Sequence, residues 1–326
     1  MISLAQIPIP LIKIVVGLLG ILIFIGLNGL ACVYLERKVA GHIQRRPGPF
    51  EVGPHGILQP IADAVKLVAK QMITPKGADP ILYWSAPIIS FAPAIVCFLP
   101  LPFGPSLQNI SINIGLIMVL AFSSLNVLAL CLGGWSSQNK WSLLGAARDI
   151  AQSVAYEIPL LLSMLPIVLL TGSLNLADIT AYQGAWPWQW LVVKQPLAFI
   201  IFFVCIFAET NRAPFDLPEA ESELTAGFHT EYAGMGFGLF FLAEYSYMVV
   251  GCALATILFL GGYQGPVAPG WWWFLIKVYG LLMVMIWVRW SFPRVRFDQL
   301  LNLTWKWFTP LILINILITA LVVKLI

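Results

Sequence analysis

An all-α membrane protein of about eight transmembrane helices is the fold class this sequence predicts, and three observations predict it. Of its 326 residues 60% are hydrophobic and 10% charged, with a mean hydropathy of +0.87, well outside globular usage. Eight long apolar runs, at about 11–34, 83–101, 113–134, 152–171, 190–208, 237–260, 271–289 and 307–326, approach the ~20 residues that cross a bilayer as a helix. Fourteen of the eighteen Lys and Arg residues lie on the odd-numbered connections between runs and none on the even-numbered ones. By the positive-inside rule both termini then face the outer side. The net charge of +3 is therefore a topology signal, and no nucleic-acid partner is expected. A single polytopic domain is expected over 1–326.

The first run is too long for a signal peptide, and Glu36, Arg37 and Lys38 follow where a small-residue cleavage site would stand. It is expected to remain in the mature chain. Cys32, Cys97, Cys131, Cys205 and Cys252 fall in or at the ends of apolar runs without a C-x-x-C pair. That spacing suits neither a disulfide framework nor an iron–sulfur site; they read as small buried hydrophobes. No metal site is expected.

After the first helix, positions 57, 58, 61, 65, 68 and 72 are apolar and alternate with Gln59, Asp63, Lys66 and Lys70. This pattern predicts an amphipathic inner helix over 57–72. It fits a basic surface helix on anionic lipid, or a site mouth lined by Arg37, Arg45, Arg46 and Asp63. The second and third runs carry no charge, and Pro87 and Pro93 are candidate kinks in the second.

The fourth run is introduced by Arg148 and Asp149 and contains Glu157. Eight residues span about 12 Å of helix, so Glu157 lies within the apolar region near its inner end. An ionisable residue there is a functional candidate, or half of a structural pair with Arg148 or another cation. Glu209 closes the fifth run and Glu244 opens the sixth. Three acids from three helices are thus expected to converge on one polar cavity near the inner side.

Between them runs an acidic connection, 209–236. Seven of the fifteen acidic residues stand in the 38 positions from Ala208 to Tyr245: Glu209, Asp216, Glu219, Glu221, Glu223, Glu231 and Glu244. Asp216 followed by Pro218 and Glu219 has the form of a capping box. Glu219, Glu221 and Glu223 fit either a solvated acidic face or a group of coupled carboxylates that exchanges protons. The seventh run opens with Trp271, Trp272 and Trp273 and closes with Trp287 and Trp290, an aromatic belt. Lys277 is expected to snorkel. Arg289, Arg294 and Arg296 serve topology alone or act as counter-charges to the acids.

The stretches L-E-R-K…Q-R-R-P-G-P, G-I-L-Q-P-I-A-D, G-W-S-S-Q-N-K-W-S-L-L-G-A-A-R, A-Q-S-V-A-Y-E, E-T-N-R-A-P-F-D-L-P-E-A-E-S-E-L and R-W-S-F-P-R-V-R-F-D-Q-L fall on all four inner connections. In them the chain closely resembles the quinone-site membrane subunit of respiratory complex I, known as the H subunit in bacterial NADH:quinone oxidoreductase and as subunit 1 in mitochondrial NADH dehydrogenase. The resemblance implies eight transmembrane helices and the inner part of a quinone channel, so that quinone is a substrate of the assembled enzyme. It also implies a charged path through Asp63, Glu157, Glu209, Arg212, Asp216, Glu219, Glu221, Glu223, Glu231 and Glu244, coupled to proton translocation. Asp149 stands where the family pattern has a small residue.

Quinone reduction takes two electrons and two protons, and this sequence has no cluster-binding cysteines, no Gly-rich nucleotide loop and no paired helical histidines for a haem. Electrons are therefore expected from a partner, and the resemblance implies FMN, NADH and iron–sulfur clusters in partner subunits, hydrophilic ones on the inner side and antiporter-like ones alongside. What this chain can supply is an apolar tunnel for an isoprenoid tail, with cations (Arg37, Arg45, Arg46, Arg148, Arg294, Arg296) and carboxylates near the headgroup. A bacterial cytoplasmic membrane is favoured over the mitochondrial inner membrane. The alternatives are the membrane subunit of an energy-converting hydrogenase and a stand-alone proton or cation antiporter, the latter disfavoured by the lack of matching interrupted halves.

Overall fold

The computed structural model describes residues 9–105, 107–218 and 221–325, with the backbone alone at 9–14, 221 and 222. Its thirteen α-helices are α1 (Ile9–Ile43), α2 (Gln59–Ala69), α3 (Pro80–Cys97), α4 (Gly115–Ser136), α5 (Lys140–Thr171), α6 (Leu176–Tyr182), α7 (Leu191–Lys194), α8 (Pro196–Glu209), α9 (Glu221–Leu224), α10 (Met235–Phe259), α11 (Trp271–Ser291), α12 (Phe297–Asn302) and α13 (Thr309–Leu325). No strand occurs among the described residues. Among the described residues seven helical segments are long and apolar enough to cross a membrane.

α10 is the central post. Every residue from Tyr245 to Phe259 on it is buried, as expected of a helix that is apolar on all sides. It packs against α1, α3, α8 and α11, while α4 and α5 extend the bundle and α13 lies against α5. α13 sits at the periphery, burying only Ile312 and Thr319.

The fifth span expected at 190–208 is not one helix. Leu191–Lys194 ends at Gln195 (φ −132°, ψ 56°), and Pro196 starts α8. Proline has no N–H for the helical ladder and excludes the helical conformation from the residue before it. The fourteen residues of α8 cover only about 21 Å. The break is filled by the buried amide of Gln195, which donates to Thr319 Oγ1 at 2.8 Å and accepts from Asn315 Nδ2 at 2.7 Å. Pro87 and Pro93, by contrast, stand inside a continuous α3.

The connections sort to two ends of the bundle. At one end Arg294 meets Asp216, Arg148 meets Glu223, and Asp79 N donates to Ser136 O at 3.2 Å; this is the basic end. At the other, Leu116 N donates to Leu174 O at 3.1 Å and Gln183 Nε2 to Ile257 O at 2.8 Å. Lys277 reaches back from α11 to the connection that precedes it. Its ammonium donates to the carbonyls of Leu260 (2.6 Å), Gly262 (3.0 Å) and Gln264 (2.6 Å), 4.1 Å from the centre of the Trp190 ring. The turn at Gly261 (φ +74°) and Gly262 (φ +51°) aims those carbonyls at it, and Cβ atoms there would meet Trp190 and Thr180 within 3 Å.

Candidate functional site

The site begins where α1 outruns the first apolar run by nine residues. Adjacent positions on a helix point about 100° apart, so Glu36 and Arg37 face different neighbours. Glu36 is buried, accepts the Tyr245 hydroxyl at 2.6 Å and pairs with Arg289. Arg37 turns to α2 and meets Asp63 Oδ2 at 2.5 Å, while Gln59, one turn before Asp63, donates to its Oδ1 at 3.1 Å. Partial burial would raise the Asp63 carboxyl, but the bonds from Arg37 and Gln59 and the charge of Lys66 outweigh it and hold Asp63 below the usual carboxylate range.

The second half comes from the turn after α8. Asn211 is left-handed (φ +50°), a conformation Asn tolerates. Arg212 follows, 3% exposed, with Nε 3.1 Å from Glu244 Oε1 and its guanidinium 4.5 Å from the Tyr245 ring centre. Tyr245 is thus the joint between two ion pairs, Arg289–Glu36 and Arg212–Glu244, in each of which one member, Glu36 or Arg212, is buried and the other half-buried. Buried pairs contribute little net stability, yet removing one partner leaves an uncompensated charge. Such a quartet responds strongly to any new charge brought beside it.

Two cavities meet here. A charged one of about 560 Å³ is bounded by Glu36, Arg37, Arg46, Arg212, Tyr245 and Arg289. An apolar one of about 710 Å³ lies among α1, α2 and α10, walled by Gly26, Gly29, Leu67, Gly238 and Leu242. They share Val33, Arg37, Phe241 and Tyr245. On α2, Ala64 and Leu67 turn into the apolar cavity, while Ile61 and Val65 are exposed; Ile57, Leu58 and Met72 lie beyond its ends. The helix expected at 57–72 is therefore shorter, and serves as an outward apolar face and a cavity wall together.

The three intramembrane acids do not share one cavity. Glu157 and Glu209 line one of about 270 Å³ with Ser123 and Tyr156. Glu244 lines another, of about 190 Å³, with Arg212, Arg289, His229, Asn126 and Ser90. The reason is that Glu209, the last residue of α8, faces α4 and α5, whereas the turn at Asn211 carries the chain round to place Arg212 against α10. Ser123 and Asn126, one turn apart on α4, mark the two cavities. His229 packs edge-on between Phe228 and Phe237, and burial pushes its imidazole down to about 4.

The sequence model of one family, NADH dehydrogenase, matches residues 16–320. The chain belongs to this family. It is 47% identical over 323 residues to the H subunit of NADH-quinone oxidoreductase from Desulfotalea psychrophila, covering 96% of this chain and 97% of the relative. It is 44% identical to the H subunit numbered 2 from Geobacter metallireducens, covering 96% of each. The NADH-quinone oxidoreductase H subunit from Dehalococcoides mccartyi is 48% identical over 297 residues, 91% of this chain and 83% of the relative.

In this member of the NADH dehydrogenase family the remaining charged residues divide between cavities and latches. Arg148 holds Glu223 at 2.5 Å, and Arg294 holds Asp216 at 2.9 Å, beside a backbone bond from Val295 N to Pro214 O. The Asp216 carboxylate is thus taken by Arg294, and Leu217 and Pro218 after it are not helical. Burial pushes the Asp216 carboxyl up against the pull of Arg294, Arg289 and Arg212. Glu219 lies outside the described residues, as does the side chain of Glu221. Glu231 accepts from Asn139 Nδ2 at 2.7 Å, and Asn139 itself caps α5 through Trp141 N, so Glu231 steadies a helix start. Arg45 (φ +53°) and Arg296 are exposed.

Asp149 does not pair with its neighbour Arg148; it is buried and accepts from Asn211 Nδ2 at 2.7 Å. Sequence reasoning missed Glu36 and Tyr245 as site residues and left Arg289 open. Glu36 stands beside Arg37 and Lys38 just past the apolar run, and its partner Arg289 lies on α11, so no local spacing links the two.

Proposed function

We infer that the chain is the membrane subunit of a proton-pumping NADH:quinone oxidoreductase, in which the apolar cavity takes the isoprenoid tail of the quinone and the charged cavity faces its headgroup. The observation that carries this is the join at Arg37 and Tyr245, where an apolar passage runs into one lined by four arginines and a buried glutamate. That gradient matches the two ends of a quinone. The names of the bacterial relatives and the spans long enough to cross a membrane support a multi-pass protein of the bacterial inner membrane. The basic end is taken to face inward and the termini outward.

Electrons reach the quinone from FMN and iron–sulfur clusters in hydrophilic partner subunits docked on the basic end. Negative charge forming on the headgroup draws on Arg37, Arg46, Arg212 and Arg289, and competes with Glu36 and Glu244 for the last two. Buried charge pairs interact strongly at low dielectric, so loosening Arg212–Glu244 changes the field at the second acid cavity, where Glu157 and Glu209 stand, and from there at antiporter-like subunits alongside. Arg45, Arg148, Arg294 and Arg296 hold or screen the acidic connection.

The test is the assembled complex carrying Glu244→Gln or Glu209→Gln, assayed for NADH-driven, inhibitor-sensitive quinone reduction and for proton translocation. Loss of translocation, with or without loss of electron transfer, is expected for both. Wild-type rates of both activities in both variants would overturn the role given to these acids.

A further inference from the structure

Asp149, Gln152, Ser153 and Tyr156 occupy one face of α5 at helical spacing, and all four are buried, at 1%, 0%, 3% and 4% exposure. Polar groups so buried are kept only where they are bonded, and two of them bond to one target. Asp149 Oδ1 accepts from Asn211 Nδ2 at 2.7 Å, and Gln152 Nε2 donates to Asn211 Oδ1 at 2.9 Å. Gln152 Nε2 also lies 2.8 Å from Ala208 O and 2.9 Å from Phe215 O. The amide of Asn211 is thus held at both ends by α5. Its orientation is fixed by chemistry, because a carboxylate only accepts and a glutamine NH₂ only donates. The contact points bracket Arg212, which follows the left-handed residue 211 and reaches Glu244.

We propose that Asp149 is a positioning residue for the Arg212–Glu244 pair, acting through Asn211 to set where the guanidinium stands against Glu244 and Tyr245. The proposal rests on the quinone-channel reading above and adds to it a mechanical link. α5 carries Glu157, in one acid cavity, and through Asp149 it grips the turn that carries Arg212 into the other. A shift of α5 therefore moves Arg212, and a shift of Arg212 is felt by α5. Asp149 touches neither cavity itself; its second oxygen, Oδ2, has no hydrogen-bond partner among the described residues.

The test uses the assembled complex with four variants: Asp149→Ala, Asp149→Asn, Asn211→Asp and the exchange Asp149→Asn with Asn211→Asp. Asp149→Ala removes the acceptor, and Asn211→Asp sets one carboxylate against another. Each is expected to lower the maximal rate of NADH-driven quinone reduction about tenfold, the scale of one lost buried charge-assisted hydrogen bond, while the KM for a short-tailed quinone stays within about twofold. Asp149→Asn keeps an acceptor oxygen and recovers most of the rate. The exchange restores donor and acceptor in reversed order and recovers it likewise. Thermal midpoints of the variants are expected to follow the same order, so the positional claim is read even from a complex that turns over no quinone. A wild-type rate and midpoint in Asp149→Ala, or an exchange no better than Asn211→Asp alone, would overturn the proposal. A wild-type complex without inhibitor-sensitive quinone reduction would instead overturn the channel reading, leaving the midpoints to decide on Asp149.

Discussion

The Tyr245 hydroxyl donates to Glu36 at 2.6 Å while the ring of the same residue lies 4.5 Å beneath the Arg212 guanidinium. One side chain thereby touches the buried member of each ion pair, Glu36 of one and Arg212 of the other. Tyr245→Phe keeps the ring and removes the donor. A hydrogen bond to a buried charge contributes about 1.5–3 kcal/mol, so the inhibitor-sensitive rate of quinone reduction is expected to fall roughly tenfold. Tyr245→Leu, which also removes the face beneath Arg212, should fall further. Steady-state assays on the two complexes compare them directly.

Arg212 and Glu244 answer to a different logic. Arg212→Met leaves Glu244 without its nearest cation and is expected to cost about 3–5 kcal/mol, whereas the double change Arg212→Met with Glu244→Leu replaces the pair with packed hydrocarbon and costs much less. Thermal unfolding of the purified complexes measures the difference. A double variant no more stable than Arg212→Met would show that the pair is not coupled as its geometry indicates.

Much of this architecture was legible in the apolar runs and the placement of cations, because hydrocarbon thickness and the cost of burying charge constrain a membrane sequence tightly. The break at Gln195 was less so: Pro196 signals it, but the partners that make it tolerable, Asn315 and Thr319, lie about 120 residues away. The site was legible as a set of residues and not as a geometry. Glu157, Glu209 and Glu244 were expected in one cavity and occupy two, because the left-handed turn at Asn211 separates them. Asp216 had the spacing of a cap and is spent on Arg294 instead. Spacing reports local structure, whereas these pairings join helices far apart in sequence.

His229 gives the fold a dependence on acid. Burial lowers its imidazole from the usual 6.5 to about 4, so between those values the unfolded chain binds the proton more readily than the folded one. Stability is then complete above about pH 6.5 and is lost as pH falls toward 4. His229→Gln removes the titrating group. Its thermal midpoint relative to wild type is expected to improve across that window by the equivalent of about 3 kcal/mol, and to show no such trend above it.

The apolar cavity can be narrowed without disturbing the fold. A Cβ built at Gly26 meets nothing within 4 Å, and Gly26 lies on α1 at the cavity wall. Replacing a glycine within a helix also favours the helix, by up to about 1 kcal/mol. Gly26→Phe should therefore assemble normally and raise the KM for a long-tailed quinone about tenfold, equivalent to roughly 1.4 kcal/mol of lost tail binding. The KM for a short-tailed analogue should change less than twofold. Equal effects on both quinones would mean that the tail does not run through this cavity.

The central claim is that a quinone lies in the joined cavities with its tail among α1, α2 and α10, and it is tested most directly by covalent labelling. The purified complex is illuminated with a quinone bearing a photoreactive group on its tail, with and without excess unlabelled quinone, and the labelled peptides of this chain are mapped. Label is expected in the segments 26–37, 60–70 and 235–245, displaced by competitor. Label confined to other helices, α13 for instance, or label in these segments that competitor does not displace, would contradict it.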